Sequence, residues 1–491
     1  MPKKNEGTAP LHGAYKPQII AQLDQKNGGV NTVVMSNYKC EKNEVPTTQS
    51  ANGSTVPLVD YRKADPEAGE DYDPFQHRKL EHPTTDLDTF IHLLKGSLGS
   101  GILAMPIAFS HAGLFLGLFC TFAIGVICTY CVHILVRSAH ELCKRTRVPS
   151  LGFAEVAETA FLSGPPAIQQ WAKFAKAMIN MFLVIDLIGC CCVYVVFVAS
   201  SIKAVVDGHV AEAYRFDVRI YMVMLLPVLI LMNLIRNLKY LSPLSMIANI
   251  LVATGMGVTF YYIFSDLPNV GERPAVQPIT ELPAFFATAI FALEGIGVVM
   301  PLENNMKTPT HFIGCPGVLN TGMFFVVLLY ASTGFFGYLR FGPDTQASIT
   351  LNLPDEPLAQ SVKLMIAVAV FFTYSLQFYV PMEIIWKAVK NNVGSKKTLA
   401  EYGIRIAFVI LTVILAILIP NLGAFISLVG AVCLSMLGLI FPSIIDLVTF
   451  YDDPGLGRFN WRLWKNLFLI CFGLVGFLTG TYFSINEIIY G

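Results

Sequence analysis

Two short stretches of this chain place weak helix formers inside apolar runs: Gly96-Ser97-Leu98-Gly99-Ser100-Gly101, and Glu294-Gly295-Ile296-Gly297 followed by Pro301. Glycine in a helix interior costs roughly 1 kcal/mol relative to alanine, and proline removes a backbone donor. Such residues interrupt a helix, and an interruption frees C=O groups at the end of its first half and N–H groups at the start of its second. The first break offers donors, the N–H groups around Ser97 to Gly101 at the positive end of a new helix, which suit a carboxylate. The second offers acceptors, the carbonyls of Phe291, Ala292 and Leu293, which suit an ammonium group. Together they have the chemistry of a site for a zwitterion. The competing reading of the same glycines is close helix packing through small residues.

Three ionisable side chains lie in the same apolar company. His92 sits one helical turn before Gly96, Glu294 lies within the second break, and Asp186 occupies the middle of a separate apolar run. Histidine changes charge near pH ~6.5, and desolvation raises a carboxylic acid toward neutrality. All three are candidates for proton coupling, and each also has a structural reading as a hydrogen-bonded group; Glu294 serves equally as a fixed acceptor for unwound backbone. Asp446 falls at a helix end and is expected to be solvated. Cys190-Cys191-Cys192 cannot converge on one ion, because helix neighbours point about 100° apart. No H-E-x-x-H or G-x-S-x-G set occurs in the apolar runs, so no enzyme chemistry, metal or cofactor is expected.

The elements that must hold these residues are membrane helices. Of 491 residues, 54% are apolar and 14% charged, too few charges to cover a soluble particle of this size. With 34 basic and 34 acidic residues the formal charge is zero, so nothing points to nucleic acid. Residues 1–88 are polar, rich in Pro, Gly, Asn and Thr and without helical periodicity, and read as a disordered tail. No charged n-region followed by an apolar h-region opens the chain, so the first crossing helix is expected to direct insertion.

A crossing needs about 20 apolar residues. On that measure residues 89–487 form the membrane domain, with spans near 90–111, 114–136, 177–202, 220–236, 243–264, 284–302, 317–339, 361–386, 405–420, 423–446 and 465–486. Eleven crossings put the termini on opposite sides. The loops and helix ends on the tail's side then hold seventeen Lys and Arg, the tail's own not counted, and the other side six (Lys203, Arg215, Arg219, Arg273, Arg340 and Lys363), which makes the tail cytosolic and residues 488–491 exoplasmic. Cys40, Cys143 and Cys315 fall in cytosolic segments and the other cysteines in spans, leaving none for an exoplasmic disulfide. The sequon Asn52-Gly53-Ser54 is in the tail, on the unglycosylated side. So is Tyr72-Asp73-Pro74-Phe75, a Y-x-x-apolar pattern of the kind sorting adaptors read, compatible with plasma membrane and with late endosome or lysosome.

Both breaks fall in corresponding spans, one and six, as inverted repeats of spans 1–5 and 6–10 with span 11 appended would place them. The residues "HLLKGSLGSGILAMPIAFSHAGL", "GCCCVYVVFVA", "FFATAIFALEGIGVVMPLENNMK", "SITLNLP" and "FFTYSLQFYVPMEII" resemble the proton-coupled amino acid transporters of the amino acid/auxin permease superfamily, over essentially all of residues 85–487. The resemblance implies an all-α LeuT-like fold with broken helices 1 and 6, carrying small neutral amino acids with protons by alternating access. It also points to His92 as the proton-responsive residue and, by analogy with related transporters, to a side-chain pocket lined by Tyr194, Tyr374 and Gln377. Vertebrate members have a disulfide between exoplasmic loops; loops 203–219 and 340–360 here contain no cysteine. Sodium coupling is the rival within the transporter class. A sensor with little net flux, whose tail docks signalling or sorting partners, is the rival outside it.

Glu294 lies beside the proposed ammonium site and Asp186 does not, so Glu294→Gln is expected to lower uptake more than Asp186→Asn at matched surface expression. The reverse order would place the site on another helix.

Overall fold

Backbone polar groups find no partners in lipid, so apolar runs of crossing length must close their hydrogen bonds internally. The structure, a computed structural model, describes residues 73–78, 80, 83–97, 99–235, 238–293, 295–390 and 397–490, and among these every long apolar run is a helix. The first half of the chain forms α1 (Asp86–Ser97), α2 (Gly101–Ala112), α3 (Leu114–Thr146), α4 (Phe153–Ser163), the single turn α5 (Pro166–Gln169), α6 (Ala172–Asp207), α7 (Val218–Asn233) and α8 (Leu238–Phe264). The second half forms α9 (Leu282–Leu293), α10 (Ile296–Asn304), α11 (Val318–Phe341), α12 (Pro357–Val389), α13 (Lys397–Leu418), α14 (Leu422–Val429), α15 (Phe441–Thr449) and α16 (Trp461–Tyr490). A π-helical stretch, Gly430–Ile440, joins α14 to α15.

Nine of the described helical runs are long and apolar enough to cross a membrane, and the bent pair α1 and α2 makes a tenth. The run read as span four is shorter: α7 has 16 residues, preceded by the N-cap Asp217, whose carboxylate accepts from the amide of Arg219 at 2.8 Å. Residues 1–72 lie outside the described residues, and with them Cys40, the sequon at Asn52 and Tyr72; so do Leu98 and Glu294 in the two breaks.

The helices sort into two packed groups. In one, α2 lies against α9 and α11, α3 against α11, and α1 against α11 and α10. In the other, α6 packs along α12, α4, α7 and α13, and α12 also lies along α8. The α14–α15 run touches both groups, through α9 and α3 on one side and α6 on the other. Glycines allow the closest approach between its π stretch and α9, where a Cβ on Gly430 would stand 2.1 Å from the Ala287 carbonyl oxygen.

Two readings of helix ends are corrected. The second span was expected to stop at residue 136, but α3 continues to Thr146, and Cys143, assigned to a loop, is buried within it. The extension carries Lys144 and Arg145 in its last turn, where cations favour the helix dipole, and stops at Arg147 in the left-handed conformation. Asp446 is not solvated: it is 1% exposed and accepts hydrogen bonds from Lys465 Nζ (2.9 Å) and Asn466 Nδ2 (2.7 Å) of α16. Its partners lie on the next helix, which the position of Asp446 in its own helix did not announce.

Breaking a buried ion pair from one side leaves an uncompensated charge and costs about 3–5 kcal/mol. Lys465→Met is therefore expected to lower the unfolding temperature of the detergent-solubilised protein. Combining it with Asp446→Leu is expected to restore much of the loss, and thermal melts of the three proteins check this.

Candidate functional site

At the first break α1 and α2 meet at 55°. The freed Ser97 carbonyl accepts two hydrogen bonds, from the Tyr330 hydroxyl of α11 at 2.5 Å and from the Gly99 amide at 3.1 Å. The Ser97 hydroxyl is buried and has no hydrogen-bond partner among the described residues. At the second break α9 ends at Leu293, and Gly295 (φ −141°, ψ 13°) leads into α10.

The two breaks lie against each other. A Cβ on Gly101 would stand 2.6 Å from the Ala292 Cα, and one on Gly295 would stand 3.0 Å from the Ser97 hydroxyl. Each break thus presses its glycine on the other. Gly96 faces Val298 of α10, where a Cβ would come within 3.0 Å, whereas a Cβ on Gly99 would meet nothing within 4 Å. The packing reading of the glycines thus applies at Gly101, which presses on Ala292, and not at Gly99, which borders open space. Beside the crossing lies a cavity of about 20 Å³, lined by Leu93, Ser97, Leu293, Gly295 and Leu434, with room for about one water molecule.

Burial divides the broken helices into sealed and open halves. Nine of twelve residues are buried in α2 and nine of twelve in α9, against three of twelve in α1 and four of nine in α10, so the open halves are those on the side where α1 begins. On α1 the exposed positions Asp88, His92, Lys95 and Gly96 follow helical spacing and make one polar face, and Gly99 in the break is exposed as well. The sealed side is closed further by the segment after α8. Gly113, with φ 87°, turns the chain from α2 to α3, and the amides of Leu114 and Phe115 donate to Pro274 and Ala275 carbonyls.

The remaining candidates are spread around this crossing. Tyr194 on α6 is buried and within electrostatic reach of both Tyr330 and Asp186. Asp186 is 7% exposed, on the same helix. Tyr374 is buried beside Cys191 and Cys192, and its hydroxyl is engaged with Thr412 of α13 at 2.7 Å; Gln377 is half-buried one turn further along α12. Phe291, Ala292 and Leu293 are all buried. Among the described residues no group of three or more His, Cys, Asp or Glu is placed to hold a metal ion, and Cys190 to Cys192 form no disulfide.

A second polar cluster was not foreseen. Glu303 of α10, its side chain 1% exposed, meets Arg78 Nη2 at 3.0 Å and His140 Nε2 of α3 at 2.7 Å. Arg78 also donates to the carbonyls of Glu303 and Pro149, and Thr84 pairs by backbone hydrogen bonds with Asn305 and Lys307. Residues 73–86 thus tie the ends of α1 and α10 to α3. Phe75, the apolar end of the sorting-type pattern, packs edge-on against His140 with ring centroids 4.8 Å apart. A separate cleft of about 730 Å³ opens beside Phe75 and His140, lined by Arg137, Glu141, Lys144 and Asp453, away from the breaks. Tyr330 was missed as well; its signal is a hydroxyl-bearing ring one turn before Gly334, on the small-residue face of α11.

Comparison with known proteins matches residues 82–486 to the family described as "Transmembrane amino acid transporter protein". The chain is 45% identical over 461 residues to "Proton-coupled amino acid transporter-like protein pathetic" of Drosophila melanogaster, an alignment covering 93% of this chain and 97% of the relative. It is 25% identical over 407 residues to "Probable amino acid transporter skat-1" of Caenorhabditis elegans, covering 81% and 88%. The resemblance read from the motifs is borne out.

The unequal surroundings of the glycines predict unequal tolerance. Gly101→Ala is expected to abolish uptake, and Gly101→Val as well, because the added carbon meets backbone; Gly99→Ala is expected to keep at least half of it. Uptake measured at matched surface expression checks the contrast.

Proposed function

The chain belongs to the transmembrane amino acid transporter family, and we propose that it is a secondary active transporter carrying small neutral amino acids with protons by alternating access. It is a transporter and not an enzyme. The observation that carries the reading is the contact of the two breaks, Gly101 on Ala292 and Gly295 on Ser97. That contact sets the donors of the first break beside the acceptors of the second, as a zwitterion requires. Tyr194, Tyr374 and Gln377 are the side chains we assign to the substrate's own side chain.

The fold we assign is LeuT-like, with eleven crossings, α1–α2 and α9–α10 being the broken first and sixth. The Lys/Arg distribution puts the N-terminus in the cytosol and the C-terminus outside. On that assignment α2 and α9 are the exoplasmic halves and are sealed, whereas α1 and α10 are the cytosolic halves and border open space. The conformation is then inward-facing. His92 stands on the exposed face of α1, in the path a proton would take to the cytosol, and imidazole changes charge between about pH 5 and 8. Leu98 and Glu294 complete the two breaks in this reading.

The test is uptake of alanine into proteoliposomes under a pH gradient, with sodium absent. Uptake is expected to rise as external pH falls from about 7.5 to 5.5, the range bracketing an imidazole, and His92→Ala is expected to flatten that profile. A requirement for sodium with no response to pH would overturn proton coupling. Alanine binding without flux would favour the sensor.

A further inference from the structure

Along α11 runs a row of residues that fits the bent first span. A Cβ on Gly322 would stand 2.6 Å from the Leu93 side chain of α1, and Cβ atoms on Gly334 and Gly337 would stand 2.4 and 2.5 Å from Phe109 and Pro106 of α2. Between these notches, on the same helix face and level with the break, is Tyr330, fully buried, its hydroxyl 2.5 Å from the Ser97 carbonyl oxygen.

In an unbroken helix the Ser97 carbonyl would accept from the amide four residues on, that of Gly101. Tyr330 takes that amide's place. Gly101 opens α2, so its N–H belongs to the first turn, which has no acceptor within the helix and carries the positive end of the dipole. With the carbonyl held by Tyr330, the helix gains little by closing the break.

We propose that Tyr330 is a positioning residue that keeps the first break open, holding the Ser97 carbonyl so that the Gly101 amide stays available to the carboxylate of the substrate. The assignment rests on the reading of this break as the carboxylate site. A purely structural hydroxyl would only satisfy a buried carbonyl, and its loss would lower stability or rate without affecting substrate affinity in particular.

The experiment uses full-length protein. Tyr330→Phe keeps the ring that packs between the glycines and removes the hydroxyl. Its KM for alanine is expected to rise on the order of tenfold, as for a binding group returned to an internal hydrogen bond, while the maximal rate changes less than about twofold. Tyr338→Phe is the control: its hydroxyl lies on the same helix but meets Gln277, at 3.5 Å, and its KM is expected to stay as in the wild type. Hydrogen–deuterium exchange supplies a readout that needs no transport. The amides of Gly101 and Ile102 are expected to exchange fast in the wild type and slow on addition of alanine, and in Tyr330→Phe that of Gly101 to be slow from the start. A Tyr330→Phe protein with wild-type KM and exchange overturns the proposal, as does an equal rise of KM in both variants. Should Tyr330→Phe fail to fold, the wild type decides: a break already protected before alanine, and unmoved by it, overturns the assignment. If the wild type moves no alanine yet Tyr330→Phe slows exchange at the break, the transport reading falls and Tyr330 keeps its role.

Discussion

A backbone carbonyl or amide in the middle of a membrane must find a partner, and the cost of leaving one without is several kcal/mol. The arrangement around the breaks follows from that constraint. An unwound turn at Ser97–Gly101 exists because α11 brings a hydroxyl to the Ser97 carbonyl and because the chain folds back to add the Gly99 amide. The group satisfied by protein is on the first half of the span, and on the proposed function the donors at the start of the second are the ones a ligand would take. A break is therefore a division of labour between a fixed partner and an exchangeable one.

The same constraint explains why small residues collect here. The proposed function needs the two backbones close enough to share one ligand, and the Gly101–Ala292 and Gly295–Ser97 contacts show them close. Close packing and ligand access are usually opposed. Here they are separated along a few residues, with Gly101 in the packed crossing and Gly99 at the open edge. The halves α2 and α9 are packed together and mostly buried, while α1 and α10 share a less crowded side.

What the sequence disclosed was local chemistry. Both breaks were legible because glycine and proline act on their own backbone, and the crossing runs because lipid imposes a length. What it concealed depended on partners far along the chain: Tyr330 lies 233 residues from Ser97, and Asp446 read as solvated because Lys465 and Asn466 belong to another helix. Helix lengths were misjudged for a related reason. Hydropathy ends where charges begin, but α3 runs on through Arg137, Lys144 and Arg145 because nothing in those residues stops a helix. The π stretch Gly430–Ile440 leaves no mark in a pattern of apolar residues, since its hydrogen-bond register alone sets it apart.

The contacts of residues 73–86 carry a consequence for how the protein is made. Arg78 bonds to residues 71 and 225 positions further on, and Thr84 to a residue 221 positions further on. These early residues leave the ribosome long before their partners exist. Their docking is incomplete until Glu303 and Asn305, at the end of α10, have been synthesised. Completing the dock of this segment is thus a late step in the making of the chain. A chain stalled before residue 303 has made the His140 ring for Phe75 but not the carboxylate for Arg78, so the segment is held at one end and waits at the other.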